Sequence, residues 1–280
     1  MKVVVIGARG RLGLAMLREF KPHADVVGLT RADVDITDDA AVLTRIAAEK
    51  PQVVVNCSAY NAVDAAEDDP VTALKVNAMG VRALARAAQA VDATFVHYST
   101  DFVFDGASER PYLESDPTNP QSVYAASKLL GEWFAADVPR HYVLRVESLF
   151  SEQRTGSAGG IVARIEQGAE VAVFVDRTVS PAYVDDIAAA TRSIVEREVP
   201  IGLYHCVNSG HCTWWEFAEE AARLLGRPAR LTPVTLEGMQ LKARRPKFSV
   251  LSNARLAAAG VTMPDWRDAL RRALQAPVRI

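Results

Sequence analysis

The stretch VVVIGARGRLG, residues 3–13, decides the architecture of the chain. Its first four residues form a continuous β-branched run, which leaves no polar side for water and predicts a strand buried on both faces. Gly7, Gly10 and Gly13 come at intervals of three, and RLGLAMLREF then takes up a helical pattern. The first glycine allows a sharp turn at the strand's end. The second lets backbone approach a pyrophosphate, and the third lets helix and strand pack closely. Free amides and the positive end of the helix then face the phosphates. In this strand–turn–helix setting a dinucleotide site is a better reading than a plain tight turn.

The alternation continues. DVVGL (25–29), QVVVN (52–56) and TFVHYS (94–99) read as strands, with helices at 38–49 and, longer, at 71–91. Apolar strands each followed by a helix predict an α/β protein with a doubly wound, Rossmann-like parallel sheet, whose loops gather along one rim where ligands bind. After about residue 150 the pattern loosens. SEQRTGSAGG is a loop by composition, VAVFV and GLYHCVN are short strand candidates, and Thr213 and Glu216 have capping-box spacing in a helix that Gly226 stops. The predicted division is an NAD(P)-binding domain over 1–150. Residues 151–280 are expected to be mainly a smaller α/β substrate-binding lid, with some segments returning to the main sheet.

The composition of the 280 residues, 49% apolar and 24% charged, is that of a globular protein. A net charge of −2 gives no reason to expect nucleic acid or an acidic membrane as partner. The opening apolar run is too short for a signal-peptide core or a membrane span. Three scattered cysteines, Cys57, Cys206 and Cys212, do not make a disulfide framework and point to a reducing cytoplasm.

At the end of the second strand an NAD-selective site usually carries an acidic residue for the ribose hydroxyls. Here Thr30 and Arg31 occupy that place, with Asp33 later. Arginine can pair with a 2′-phosphate, so NADP(H) is expected as the preferred cofactor, with NAD(H) also open. Asp35 and Ile36 are placed to flank the adenine, and Asp38 could equally cap the next helix.

The fourth strand runs into STDFVFDG (99–106), so Thr100 sits at its carboxyl end. VYAASKLLGE (123–132) then carries Tyr124 and Lys128 four positions apart, on one helical face. A phenol needs about 4 kcal/mol of differential stabilisation to titrate near neutrality, and a fixed ammonium acts in that direction. Tyr124 could exchange a proton with a carbonyl or alcohol oxygen while hydride moves at carbon, and Thr100 could orient that oxygen.

Glycine loop, strand-end Ser-Thr, then Tyr and Lys on a helix resemble the short-chain dehydrogenase/reductase superfamily. VVVNCSAYNAVDAAEDDP, HYSTDFVFDG, VYAASKLLGE, RTVSPAYVDDIA and RRPKFSVLSNARL, in this order, resemble the dTDP-4-dehydrorhamnose reductase family over nearly the whole chain. The resemblance implies reduction of the 4-keto group of a nucleotide-linked 4-keto-6-deoxysugar, the last step to dTDP-L-rhamnose. It implies Thr100, Tyr124 and Lys128 as catalytic residues. Cofactor contacts are implied at Gly7, Gly10, Arg11, Leu12, Asp35, Ile36, Ser58 and Ala59, and a sugar pocket at Val63, Phe102 and Val103. Phe102 replaces a tyrosine frequent in the family, RVESLFSEQRTGSAGG departs from its aromatic-bearing stretch, and no metal is carried over. The partner expected is a nucleotide sugar, with room for a homodimer.

Three other functions compete. A sugar-nucleotide dehydratase needs a second acid/base group where Phe102 stands. An epimerase can use the same tyrosine with tightly retained NAD. A non-catalytic regulator, like the regulatory subunit of methionine adenosyltransferase, could bind the dinucleotide alone. His205, Cys206, His211 and Cys212 lack zinc-site spacing and read as packing. Trp214 and Trp215 read as lid packing, and Asn77 as a brace near the site.

Overall fold

In the computed structural model, which describes residues 1–277, the opening valine run serves two cores at once. β1 (Lys2–Ile6) sends Val3 and Val5 to one side of a sheet and Val4 and Ile6 to the other, as the two-residue period of a strand requires. The chain continues through α1 (Arg11–Phe20), β2 (Asp25–Leu29), α2 (Asp39–Glu49), β3 (Val53–Asn56), α3 (Val63–Asp68) and α4 (Pro70–Leu74). A π turn (Lys75–Met79) leads into α5 (Gly80–Ala90), β4 (Thr94–Thr100), α6 (Val123–Ala136) and β5 (His141–Val146). The second half comprises β6 (Leu149–Phe150), α7 (Gly156–Glu166), β7 (Glu170–Phe174), β8 (Thr178–Val179), β9 (Ala182–Tyr183) and α8 (Val184–Glu196). It ends with β10 (Gly202–His205), β11 (Cys212–Thr213), α9 (Trp214–Leu225), β12 (Arg230–Val234), α10 (Ala254–Ala258) and α11 (Trp266–Gln275).

The main sheet has the order β10-β5-β4-β3-β1-β2, and every pairing in it is parallel. Phe95 and Leu84 lie in the core on one face, where α2, α5 and α6 supply cover. Met16 and Phe20 of α1 and Ile187 and Ile194 of α8 lie in the core on the other. Each fully buried Val, Leu or Phe contributes roughly 1.5–3 kcal/mol relative to exposure, which makes two filled faces the dominant stabilisation. From the second half, α8 packs on α1 and β10 extends the sheet beyond β5. The remaining strands form small two-stranded pairs, β7 with β12, β8 with β11 and β6 with β9, around α7, α9 and α11.

The helix expected over 71–91 is interrupted. The π turn inserts one extra residue per turn at its middle and aims Asn77 inward. Asn77 Oδ1 accepts from Tyr60 N at 2.8 Å, while Nδ2 donates to Tyr60 O and Ser127 Oγ at 3.0 Å each, so the amide ties this helix to the loop after β3 and to α6. Asp38 caps α2 by accepting from Ala41 N at 3.0 Å, and Thr213 with Glu216 closes a capping box at α9, which ends at left-handed Gly226. His205, Cys206 and Cys212 are buried in packing.

Candidate active site

The strand order reverses between β1 and β3, and in such sheets ligands bind at the carboxyl ends of the strands where this happens. The glycine loop occupies that place. Gly7 has φ +75°, and a Cβ there would lie 2.8 Å from Ser58 N, so the glycine loop and the segment after β3 approach too closely for a side chain. A Cβ on Gly13 would lie 2.3 Å from Gly7 O, which fixes its role as helix–strand packing. Helix α1 starts at Gly10 with no side-chain cap, leaving its first amides available to an anion. These features fit a dinucleotide's pyrophosphate.

Two compartments open from this point. One, of about 510 Å³, is lined by Gly7, Thr30, Arg31, Asp35, Ile36, Ser58 and Ala59. The other, of about 400 Å³, is lined by Gly10, Arg11, Leu12, Val63, Thr100, Phe102, Tyr124 and Lys128. Gly13 lies in the packing beneath. Val103 is the correction in the sugar-pocket set: a single 3₁₀ turn (Asp101–Val103) presents Phe102 to the cleft and buries Val103 completely.

Beside the first compartment Asp33 is held by Thr30, whose N and Oγ1 donate to Oδ2 at 2.8 and 2.6 Å. These bonds hold the Asp33 carboxyl below the ordinary carboxylate range. Arg31 is 88% exposed and meets Asp35 at 3.5 Å, so its guanidinium can turn toward a ligand at little cost. In the second, Arg11 Nη1 donates to Leu149 O at 3.0 Å and Thr155 O at 2.9 Å, bridging the glycine loop to the second half.

Thr100 closes β4, and its Oγ1 accepts from Phe102 N at 3.2 Å and donates to Asp101 Oδ1 at 3.0 Å. Helix α6 is started by Ser122, whose Oγ accepts from Ala125 N at 3.2 Å, and by Glu67, which accepts from Val123 N at 2.8 Å. These caps set Tyr124 in the first turn, buried, with its ring edge-on to Phe102 at 5.8 Å between centroids. Lys128, one turn on, is 3% exposed and donates from Nζ to Tyr98 O at 2.6 Å.

Burial pushes the Tyr124 phenol up, and the Asp101 carboxyl adds to that, while Thr100's hydroxyl acts the other way. The expectation that Lys128 draws the phenol toward neutrality is therefore corrected for the protein itself. The ammonium is committed to a backbone carbonyl, and burial brings Lys128 down to about 8, opposed by Glu132. Tyr124 is thus a neutral phenol, the state a proton donor needs.

Three further groups join the cleft without warning from the sequence. Glu147 and Arg177 line the cleft, and Ser249 lies buried behind them. They come from separate loops, and no spacing rule connects them. Trp214 packs against Phe217, as expected of lid packing, and also lines the cleft.

A parallel sheet with a glycine cradle at its reversal point, and with Thr, Tyr and Lys gathered beside it, defines a Rossmann-type protein of the short-chain dehydrogenase/reductase kind. Within that class, the chain belongs to the family whose model is described as RmlD substrate binding domain, matched over residues 1–278. A dTDP-4-dehydrorhamnose reductase of Streptomyces griseus is 38% identical over 98% of this chain and 93% of its own. The crystal structure of a dTDP-4-dehydrorhamnose reductase ortholog from Clostridium acetobutylicum has a TM-score of 0.93 at 35% identity, covering 98% of both chains. The Bacillus anthracis dTDP-4-dehydrorhamnose reductase, solved in complex with NADP, also has a TM-score of 0.93, at 30% identity over 97% of this chain and 98% of that one.

Proposed function

We propose that this protein is an NAD(P)H-dependent oxidoreductase that reduces the 4-keto group of a nucleotide-linked 4-keto-6-deoxysugar, converting dTDP-4-dehydrorhamnose to dTDP-L-rhamnose. The observation that carries this is the meeting of Thr100, Tyr124 and Lys128 in one cleft with the glycine loop. When bound, the reduced nicotinamide supplies the hydride. The chain's own residues do the rest. Gly7, Gly10, Arg11 and Leu12 hold the phosphates, with Gly13 keeping the helix close. Ser58 and Ala59 line the path from there toward Thr100, and Lys128 holds the ribose side. Thr30, Arg31, Asp35 and Ile36 surround the adenosine, with Arg31 favouring the 2′-phosphate of NADP(H); NAD(H) is accepted more weakly.

Tyr124, neutral in its buried setting, gives its proton to the C4 oxygen, and Thr100 orients that oxygen. Val63 and Phe102 bound the sugar. Residues 1–150 serve cofactor binding. Residues 151–280 serve mainly the sugar nucleotide, while α8 packs on α1 and β10 extends the first half's sheet. The three free thiols suit a reducing cytoplasm, and no helix among the described residues is long and apolar enough to cross a membrane. Exposed Trp133 on α6 gives a homodimer a candidate face, which light scattering tests.

Mixing the protein with NADPH and a panel of 4-keto-6-deoxy sugar nucleotides tests the reading. The expected result is loss of NADPH absorbance, fastest with the dTDP-linked sugar. No loss with any of them overturns it in favour of a dinucleotide-binding regulator.

A further inference from the structure

Beside Thr100, in the wall of the same cleft, two carboxyl groups are buried. Asp101 is 4% exposed and Glu147 is 1% exposed. Glu147 accepts from Ser180 N at 2.7 Å through Oε2 and from the Ser249 hydroxyl through Oε1. The same Ser249 hydroxyl lies beside the Asp101 carboxyl. Asp101 Oδ1 takes Thr100's hydrogen at 3.0 Å, while Oδ2 is buried with no partner. One guanidinium faces both carboxyls, that of Arg177, itself buried, bonded through Nε to Pro246 O at 3.2 Å and lying over the Phe102 ring.

The other charged groups around the pair are committed elsewhere or more remote. Lys128 on α6 is bonded to Tyr98 O, Arg245 is paired with Asp64, and Asp176 accepts from Leu236 N. Tyr124, also on α6, faces Asp101 as a neutral phenol. Two ionised carboxylates against one guanidinium would leave a net negative charge out of water, which is costly; one shared proton removes it.

We propose that Asp101 and Glu147 form a carboxyl pair that keeps one proton between them and thereby decides which way the Thr100 hydroxyl points. The role rests on the reductase reading above and makes both carboxyls positioning residues, acting through Thr100. A hydroxyl has one hydrogen to give and two lone pairs. With Asp101 ionised, Thr100 spends its hydrogen on Oδ1, as the 3.0 Å contact allows. With Asp101 protonated, the acid donates into Thr100 Oγ1, which still accepts from Phe102 N, and the threonine hydrogen is free for Tyr124 and the substrate oxygen.

The same line returns the proton that catalysis removes. Tyr124 gives its proton to the C4 oxygen and is left a phenolate. It takes the Thr100 hydrogen, Thr100 takes the Asp101 proton, and the pair regains one from water. Only protons move, and none is created or lost. Burial raises both carboxyls and the Asp101 charge raises Glu147 further, while Arg177 acts the other way on each, so the pair titrates above the ordinary carboxylate range.

The test is the pH dependence of kcat with NADPH and the sugar nucleotide, alongside infrared spectra of the protein alone. Wild type should lose turnover as the pair gives up its proton on the alkaline side. E147Q leaves Asp101 facing Arg177 without its negative neighbour. The alkaline limb should move at least one pH unit lower, with roughly tenfold lower kcat at neutral pH recovered on acidification. D101N places a permanent amide donor on Thr100 Oγ1 but cannot pass a proton on, so kcat should fall several-fold at every pH while the alkaline limb vanishes from what remains. A protonated-carboxyl band in the infrared spectrum should be present in wild type and absent from D101N.

An unmoved limb in E147Q, or a limb that persists in D101N, overturns the proposal. The infrared band needs no turnover, so its absence from folded wild type overturns the shared proton whatever the assay shows. Failure of the reductase reading would appear differently, as no NADPH oxidation by wild type at any pH.

Discussion

The two walls of the reaction centre are built in different ways. One wall, with Thr100, Tyr124 and Lys128, stands on regular elements: the end of β4 and one face of α6. The other, with Glu147, Arg177 and Ser249, is assembled from three loops far apart in the chain. Helical period and strand direction hold the first wall in place whatever the rest of the molecule does. The second exists only after the halves have packed, because nothing local relates its members. The chemistry is therefore carried by the rigid side, and the tuning by the side that depends on tertiary contact.

The sharpest way to break that division is Tyr124→Phe. Turnover should fall at least ~10²-fold with little change in NADPH affinity, measured by steady-state kinetics and fluorescence titration. Near-normal turnover would remove Tyr124 from the proton-donor role. Next in size is the buried pair under the rigid wall, where Arg145 meets Glu132 through two bonds of 2.8 Å with both side chains almost wholly buried. Arg145→Met alone should cost about 3–5 kcal/mol in urea unfolding, because it strands a buried carboxylate, and adding Glu132→Leu should restore most of it.

Lys128→Met sharpens the comparison through pH. Burial lowers Lys128 in the folded protein to about 8, from an unfolded 10.5. The folded state therefore bears the cost of a buried ammonium below about 8, and that cost disappears as pH rises toward the unfolded value. The variant should lose turnover and cofactor affinity. Its melting temperature relative to wild type should be highest near neutral pH and decline as pH rises above about 8. A constant difference across that range would mean that Lys128 is not a strained, functional cation. The smallest effect belongs to the exposed rim: Arg31→Ala should weaken NADPH about tenfold and leave NADH nearly unchanged, in line with loss of one charge-assisted bond. Equal weakening of both would reject the phosphate assignment.

Most of the fold was legible because its signals are periodic. The runs VVVIG and QVVVN read as strands covered on both faces, Thr213 announced its helix by capping, and Asp38, open as a cap, proved to be one. The helix over 71–91 was legible as a helix, but not its π turn, since the extra residue answers to Asn77's partners on Tyr60 and Ser127 rather than to propensity. At the site, the glycine loop, Thr100, Tyr124 and Lys128 were readable from spacing and resemblance. Val103 was assigned to the sugar pocket by the family resemblance, yet a 3₁₀ turn separates it from Phe102 and buries it. The upward displacement of the Tyr124 phenol depends on burial, which no motif encodes.

The register of β10 against β5 has a consequence for how the molecule can be divided. Gly202–His205 pairs with Tyr142–Arg145, so a segment made late in synthesis covers the edge of a sheet made early. Excising residues 1–150 would leave that edge with a row of unsatisfied amides and carbonyls and strip α8 from α1, and such an edge is a template for misassembly. Cofactor half and lid should therefore be gained or lost as one cooperative body, and an inherited or engineered break near residue 150 should yield aggregate rather than a small dinucleotide-binding protein.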